Sequence, residues 1–118
     1  MAPASDDDEA PGWPPTPITE AVTSKYVGKY ILVGITEKDA FGKVTDRYQI
    51  HGVIESLAPN ELVISLRGSR SGEKYSLPPA IDWLYPAPPG EYRLEDTGDL
   101  VIDPDYMASF RMTAPQKH

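Results

Sequence analysis

The sequence predicts a mainly β fold: a small, strongly curved antiparallel barrel of six or seven short strands, preceded by one short helix. A chain of 118 residues is long enough for one domain. Its thirteen prolines and nine glycines divide it into short elements, which argues against a helical bundle. Short apolar runs recur at intervals of roughly 8 to 15 residues with turn residues between them, a spacing typical of small barrels and sandwiches.

The two ends of the chain are predicted to lie outside this domain. Residues 1–15 are rich in proline, alanine and aspartate without periodicity, and we expect them to form a disordered acidic tail. The domain then covers residues 16–114, and residues 115–118 form a disordered C-terminus. Trp13 lies in the tail. We expect it to pack back on the domain rather than to serve as a short recognition element, because an indole buries a large apolar area.

The domain begins with a predicted helix. Thr16 is a suitable N-cap, Pro17 suits the first helical position, and Gly28 suits the position after the last turn. The residues between Pro17 and Gly28 include apolar side chains at helical spacing. Several β-branched residues among them limit the helix to a few turns.

Two strands are predicted next. "KYILVGIT", residues 29–36, is nearly continuous in apolar residues, which indicates burial on both faces of a sheet. "RYQIHGVIESL", residues 47–57, alternates more clearly, so that its odd and even positions face opposite sides. Gly52 in its centre indicates a bend at which a curled sheet leaves no room for a side chain.

The remaining strands are shorter. "LVISLR" and "KYSLP" are predicted as the third and fourth, joined by the glycine-rich loop "GSRSGE". "EYRLE" and "LVID" indicate a hairpin with its turn at Asp96 to Asp99, and "MASFRMT" is predicted as the last strand. "ELVISL" is apolar enough to be an exposed edge, so the chain is predicted to be a monomer or a homo-oligomer joined through edge strands.

The order of these elements resembles the Sm-like and SH3-like small barrels. The resemblance covers residues 17–78: a short helix, "GKYILVGI", a loop, and a long strand with a central glycine. The Sm loop signature, an aspartate followed by a Met-Asn pair, is absent, and "ESLAPNELVI" stands in its place. The resemblance therefore implies a fold and does not carry over the RNA-binding role of that family.

No pattern of catalytic or metal-binding residues is present. The chain has no cysteine, and His51 is the only histidine inside the predicted domain, where we expect it on the solvent face of a strand. Neither a Gly-x-Ser-x-Gly elbow nor a P-loop occurs, and the acids between Glu91 and Asp105 lack the calcium-loop spacing and are typical of turns. We therefore predict no enzymatic activity, no metal site and no cofactor. A hydrolase using His51 ranks lowest, since it requires a deep pocket at that residue.

One loop is a candidate anion site. Arg67, Arg70 and Lys74 flank two glycines, and such loops hold phosphates or carboxylates. Three bases on a solvated hairpin tip are also commonplace, and we prefer that interpretation. The same loop could receive the acidic tail or an acidic partner.

The segment "SLPPAIDWLYPAPPGEY", residues 76–92, is the candidate partner-binding site. It is too rich in proline for a continuous strand and too apolar for a solvated loop. We expect one helical or 3-10 turn at "AIDWL" followed by a polyproline stretch. The segment either closes the core and protects a sheet edge, which we prefer, or displays an aromatic platform for a partner, and both hold if one face of it stays exposed. The residues of this platform are Trp83, Tyr85, Pro86 and Pro88.

Charge and composition complete the functional prediction. The net charge of −7 resides in the first 24 and the last 28 residues, and the middle of the chain is nearly neutral. Such a chain repels phosphate backbones, so nucleic acid is disfavoured.

We predict a cytoplasmic, non-enzymatic protein-interaction module with an unidentified protein partner, without a signal peptide or a membrane-spanning segment. It resembles some bacterial immunity or adaptor proteins, whose acidic surface covers a basic active site. The alternative is an Sm-like or cold-shock-like barrel that binds RNA or a small anion.

Overall fold

The computed structural model describes residues 15–113. The predictions for the acidic tail, for Trp13 and for the C-terminus from residue 114 onward lie outside the described residues. Within them the fold is mainly β, as predicted, with one short α-helix and eight strands. The elements are α1 (Glu20–Tyr26), β1 (Tyr30–Lys38), β2 (Val44–Ala58), β3 (Glu61–Leu66), β4 (Lys74–Leu77), β5 (Tyr85–Pro86), β6 (Glu91–Arg93), β7 (Leu100–Ile102) and β8 (Tyr106–Thr113).

The helix starts later than predicted. Thr19, not Thr16, is the N-cap, and its Oγ1 accepts a hydrogen bond from the amide of Val22. Thr16 instead donates its amide and hydroxyl to the carboxylate of Asp82, which holds the chain extended before the helix. The helix ends as predicted, just before Gly28, whose φ of +90° suits glycine.

Six strands form one open sheet in the order β4-β3-β2-β1-β8-β5, and β6 pairs with β7 in a separate hairpin. Within residues 15–113 the sheet does not close into a barrel, and the closed form of the prediction is not found. One pairing also departs from the antiparallel expectation, because β8 runs parallel to β1. Its start is fixed there by two hydrogen bonds between Tyr30 and Asp105, one of them to the Asp105 side chain.

Both faces of β1 are buried, as its continuous apolar run predicts. Ile31, Val33 and Ile35 point into the main core, on the side that we call the inner face of the sheet. Leu32 points to the opposite, outer face, where the β6–β7 hairpin covers it with Leu94 and Val101. The domain therefore consists of a larger core under the sheet and a small second cluster under a hairpin.

The long strand β2 bends over this core. Gly52 pairs with Ile31 on one side and Leu66 on the other. A Cβ at this position would overlap the backbone carbonyl of Ser65 and lie 2.9 Å from Ile64 Cγ2. Gly52 thus allows β3 to approach more closely than any side chain would permit.

The strand β3, which contains "ELVISL", is not an edge. It lies between β2 and β4, and both of its neighbours pair with it antiparallel. Leu62, Ile64 and Leu66 are buried in the main core and alternate with half-buried residues. The edges of the described sheet are β4 and β5 instead.

Candidate functional site

The candidate partner-binding segment turns some of its side chains inward. Residues Ile81–Trp83 form the predicted 3-10 turn, and Ile81 and Leu84 are buried in the main core. The Trp83 ring is half-buried, with its centroid 5.2 Å from that of Phe110. Trp83 therefore belongs mostly to the core and contributes little to an exposed platform.

The next residues face solvent. We call Tyr85–Gly90 the proline ribbon; Tyr85 is 49% exposed, and Pro86 and Pro88 are exposed too. The ribbon is tied to the chain between β7 and β8 by the Ala87 amide, which donates to Asp105 O, and by the Gly90 amide, which donates to Asp103 Oδ1 at 2.8 Å.

A third bond holds the centre of the ribbon, since the Tyr92 hydroxyl donates to Pro88 O at 2.6 Å. Three of the four predicted residues, Tyr85, Pro86 and Pro88, are thus exposed along one hydrogen-bonded segment. The fourth, Trp83, is turned away from them.

Two exposed apolar residues lie close to the ribbon. Ile102 is 52% exposed and Leu100 is 41% exposed, on the side of β7 that faces away from the sheet. Ile102 directly precedes Asp103, which is hydrogen-bonded to Gly90. Sequence reasoning missed both residues. The sequence feature that could have indicated their exposure is the position of "LVI" in a strand, where side chains alternate: Val101 is buried, and Leu100 and Ile102 are exposed.

The three bases of the candidate anion loop do not converge. The Arg67 guanidinium lies over the Tyr30 ring at 5.1 Å from its centroid, and that of Arg70 lies over the Tyr48 ring at 5.2 Å. Tyr30 and Tyr48 are on opposite faces of the sheet. Lys74 Nζ pairs with Glu55 at 2.8 Å. Each base therefore has its own partner within the chain.

The loop nevertheless holds a carboxylate, and that carboxylate is Asp99 of the β6–β7 turn. Asp99 Oδ2 accepts hydrogen bonds from the Ser69 amide at 3.0 Å and from the Ser69 hydroxyl at 3.1 Å. Gly68, with φ +73°, allows this approach, since a Cβ there would overlap the Asp99 carboxylate. The carboxylate that this loop holds is thus a group of the same chain.

His51 completes this network, and the expectation that it faces solvent is wrong. It is 5% exposed because the loop and the β6–β7 hairpin cover the outer face of β2. Its Nε2 lies 3.0 Å from Asp99 Oδ2 and its Nδ1 lies 2.7 Å from the Tyr30 hydroxyl. Because a carboxylate only accepts, Nε2 carries the proton and donates to Asp99, while Nδ1 and the Tyr30 hydroxyl share the second hydrogen bond.

The ionisation of this network follows from its contacts. A hydrogen bond from the Ser69 amide has the largest effect on Asp99 and holds its pKa below the ordinary value. The hydrogen bond from the His51 side chain acts in the same direction with a smaller effect. Burial raises the pKa of Tyr30. The cavity beside His51 measures about 10 Å³, room for about one water molecule. The arrangement fixes the hairpin to the sheet.

The acids of the C-terminal segment divide into two groups. Asp99, Asp103 and Asp105 each accept a hydrogen bond from a backbone amide, at Ser69, Gly90 and Tyr30 respectively. Among residues 15–113, the side chains of the other three have no hydrogen-bonded partner and point to solvent: Glu91, Glu95 and Asp96. The first group is structural, as the sequence predicts for turn residues, and the second remains free for contact with other molecules.

A polar cleft of about 290 Å³ lies on the outer face beyond the hairpin. Residues of β1, β2, β8 and the β6–β7 turn line it. Sequence reasoning missed this cleft, because it depends on the parallel pairing of β8 with β1. The lining residues include Gly34, Thr36, Arg47, Gln49, Glu95, Asp96 and Ser109.

No family model, curated protein or solved structure matches the chain. In the part of the chain that the structure describes, no helix is long and apolar enough to cross a membrane. Within that same part, no three histidine or carboxylate side chains are grouped to hold a metal ion.

Proposed function

We propose that this chain is a non-enzymatic protein-interaction module, and that it binds its partner protein through the proline ribbon together with Ile102. The observation that carries the proposal is the combination of exposure and rigidity at Tyr85, Pro86 and Pro88. Aromatic side chains that are exposed on a fixed backbone lose little conformational freedom on binding, so their apolar area contributes directly to affinity.

The charge of the neighbouring surface supports a partner with a basic rim. Glu91 is exposed directly after the ribbon, Glu95 and Asp96 are exposed at the far end of the same hairpin, and the whole chain carries a net charge of −7. Acidic groups around an apolar centre accelerate association with a basic surface and disfavour acidic partners. This is the arrangement that the adaptor-like or immunity-like prediction requires.

The likeness to SH3-like and Sm-like modules stays a proposal. It is supported by the order of a short helix followed by four consecutive antiparallel strands, α1 to β4. The open sheet and the parallel strand β8 are departures from it. The cytoplasmic location also remains a prediction from the sequence.

The alternative, binding of RNA or a small anion, has weaker support. It relies on Arg67, Arg70 and Lys74, and these side chains contact Tyr30, Tyr48 and Glu55 in different places. A phosphate bound at the loop would also have to compete with Asp99, which occupies the Ser69 amide.

The test is quantitative capture from an extract of the native host, with the full chain as bait. Tyr85→Ser removes the exposed aromatic ring of the ribbon, and Phe41→Ser removes another exposed ring, at the tip of the β1–β2 hairpin. A ring at the centre of an interface contributes about 2 kcal/mol or more, which is roughly 30-fold in affinity. We expect this loss for Tyr85→Ser and none for Phe41→Ser.

Three results would contradict the proposal. The partner could be lost with Phe41→Ser and kept with Tyr85→Ser, which would move the site to the hairpin tip. Both variants could bind as the wild type does, which would exclude the ribbon. RNA could elute in place of a protein and dissociate at high salt, which would favour the alternative function.

A further inference from the structure

An apolar groove lies where the chain enters the domain, separate from the proline ribbon. Its volume is about 570 Å³, and most of its lining is proline. One wall comes from the segment before α1 and the other from the β2–β3 turn and the end of β4. The lining residues are Pro15, Thr16, Pro17, Ile18, Pro59, Pro78, Pro79 and Ala80.

The entry of the chain into this groove is fixed. Thr16 donates its amide to Asp82 Oδ2 at 2.8 Å and its hydroxyl to Asp82 Oδ1. These two bonds hold the pKa of Asp82 below its ordinary value, the hydroxyl bond having the larger effect. Since Asp82 belongs to the 3-10 turn that packs on the core, residue 16 has a defined position beside the groove.

The chain immediately before this point carries a large aromatic residue. Trp13 is three residues from Thr16 and two from Pro15, and three residues of extended chain span at most about 11 Å. An indole presents roughly 150–250 Å² of area to bury. The flat faces of proline rings are suitable surfaces for it.

We propose that the groove is a binding site for an aromatic side chain and that its occupant is Trp13 of the same chain. Attachment at Thr16 gives Trp13 an effective concentration in the groove of the order of millimolar or above, which no dilute external ligand matches. The inference does not rest on the proposed interaction surface.

A second occupant is conceivable on the same chemistry. Phe41 is 94% exposed at the tip of the β1–β2 hairpin, whereas the groove lies at the other end of β2, next to Pro59. Phe41 therefore reaches a groove only on a second copy of the chain, and such contacts would join copies into dimers, rings or filaments. This arrangement depends on protein concentration, whereas occupancy by Trp13 does not.

The test uses the fluorescence of Trp13 in the full chain. Trp83→Phe leaves Trp13 as the sole tryptophan. We expect blue-shifted emission and a several-fold lower quenching constant with acrylamide than for free tryptophan, independent of protein concentration. Ala80→Glu, which places a charge in the groove, should shift the emission to that of solvated tryptophan. Ser71→Glu, on an exposed loop outside the groove, is the matched control and should leave it unchanged.

The Trp83 substitution removes a ring that packs on Phe110, so a second measurement keeps the native core. In the chain labelled with fluorotryptophan, the fluorine NMR signal of Trp13 is assigned by its loss in Trp13→Phe. The chemical shift of this signal should change in Ala80→Glu and stay the same in Ser71→Glu. Solvent-like emission of Trp13 would overturn the proposal. Emission of a buried Trp13 that is unchanged in Ala80→Glu would also overturn it. So would burial of Trp13 that is found only at high protein concentration and is lost in Phe41→Ser.

Discussion

Asp99 connects two parts of the chain that lie far apart in sequence. It belongs to the β6–β7 turn, and it receives hydrogen bonds from Ser69 and His51, which lie 30 and 48 residues away. No other side chain of that turn bridges to the sheet in this way among the described residues. The network thus adds polar contacts between the hairpin and the sheet to the apolar packing of Leu94 and Val101.

Asp99→Ala should therefore lower the free energy of unfolding by about 1–3 kcal/mol, because His51 and the Ser69 amide lose their acceptor in a partly buried site. Asp96→Ala, in the same turn but with no hydrogen-bonded partner for its side chain, should change it by less than about 0.5 kcal/mol. Urea denaturation of the two variants measures the difference. Equal effects would show that Asp99 does not fix the hairpin.

The effect of Asp99 should depend on pH in a defined direction. A carboxyl group whose pKa is lowered in the folded state stabilises that state above its unfolded pKa, which is near 3.8. The contribution is lost as pH falls through the lower, folded pKa. The gap between the wild type and Asp99→Ala should thus shrink as the pH falls below about 4. A gap that persists in acid would contradict the charge-based account.

At the scale of elements, the bend of β2 depends on one position. The sequence predicts a glycine bend at Gly52, and the structure supplies its cause: the Ser65 carbonyl occupies the space of a Cβ. Gly34, in the neighbouring strand β1, has no such constraint, since a Cβ there would lie 3.8 Å from Ser109 Oγ, at ordinary contact distance.

Gly52→Ala should therefore destabilise the protein by about 2 kcal/mol or more, because β3 must move away from β2. Gly34→Ala should be neutral or stabilise it slightly, since alanine loses less backbone entropy than glycine on folding. Thermal unfolding of both variants makes the comparison. Similar melting temperatures would show that the two strands are not in close contact at Gly52.

The element that sequence reasoning placed least well is the last strand. "MASFRMT" predicts a strand, but nothing in its pattern shows that it pairs parallel with β1. That pairing depends on Asp105 and Tyr30, 75 residues apart, and it leaves the sheet open where a closed barrel was expected. Local patterns determine the existence of an element, whereas such long-range contacts determine its partner.

The same distinction applies to the candidate site. The burial of Ile81 and Leu84 was predictable, because the apolar segment around them is expected to close the core. The burial of His51 was not, because the hairpin that covers it comes some 40 residues later in the chain. Across the whole molecule, the polar cleft and the carboxylate in the Arg67–Lys74 loop escaped prediction for the same reason.

The whole molecule must also protect the edges of its open sheet, and β5 shows how one of them is protected. The Ala87 amide points toward β8, where it bonds to Asp105 O, so in an extended chain the nitrogen of Pro86 faces the open side. A proline there costs no hydrogen bond within the sheet and offers no donor to another molecule. The other edge, β4, is four residues long and is followed by Pro78 and Pro79.

Pro86→Ala should consequently promote self-association through β5, since it restores one outward amide donor. One additional hydrogen bond contributes about 1 kcal/mol, which corresponds to roughly a five-fold larger association constant. Sedimentation velocity over a range of concentrations measures this against Pro89→Ala, an exposed control in the same ribbon but outside β5. An unchanged distribution for Pro86→Ala, or an equal increase for Pro89→Ala, would show that the proline in β5 is not what keeps this edge unpaired.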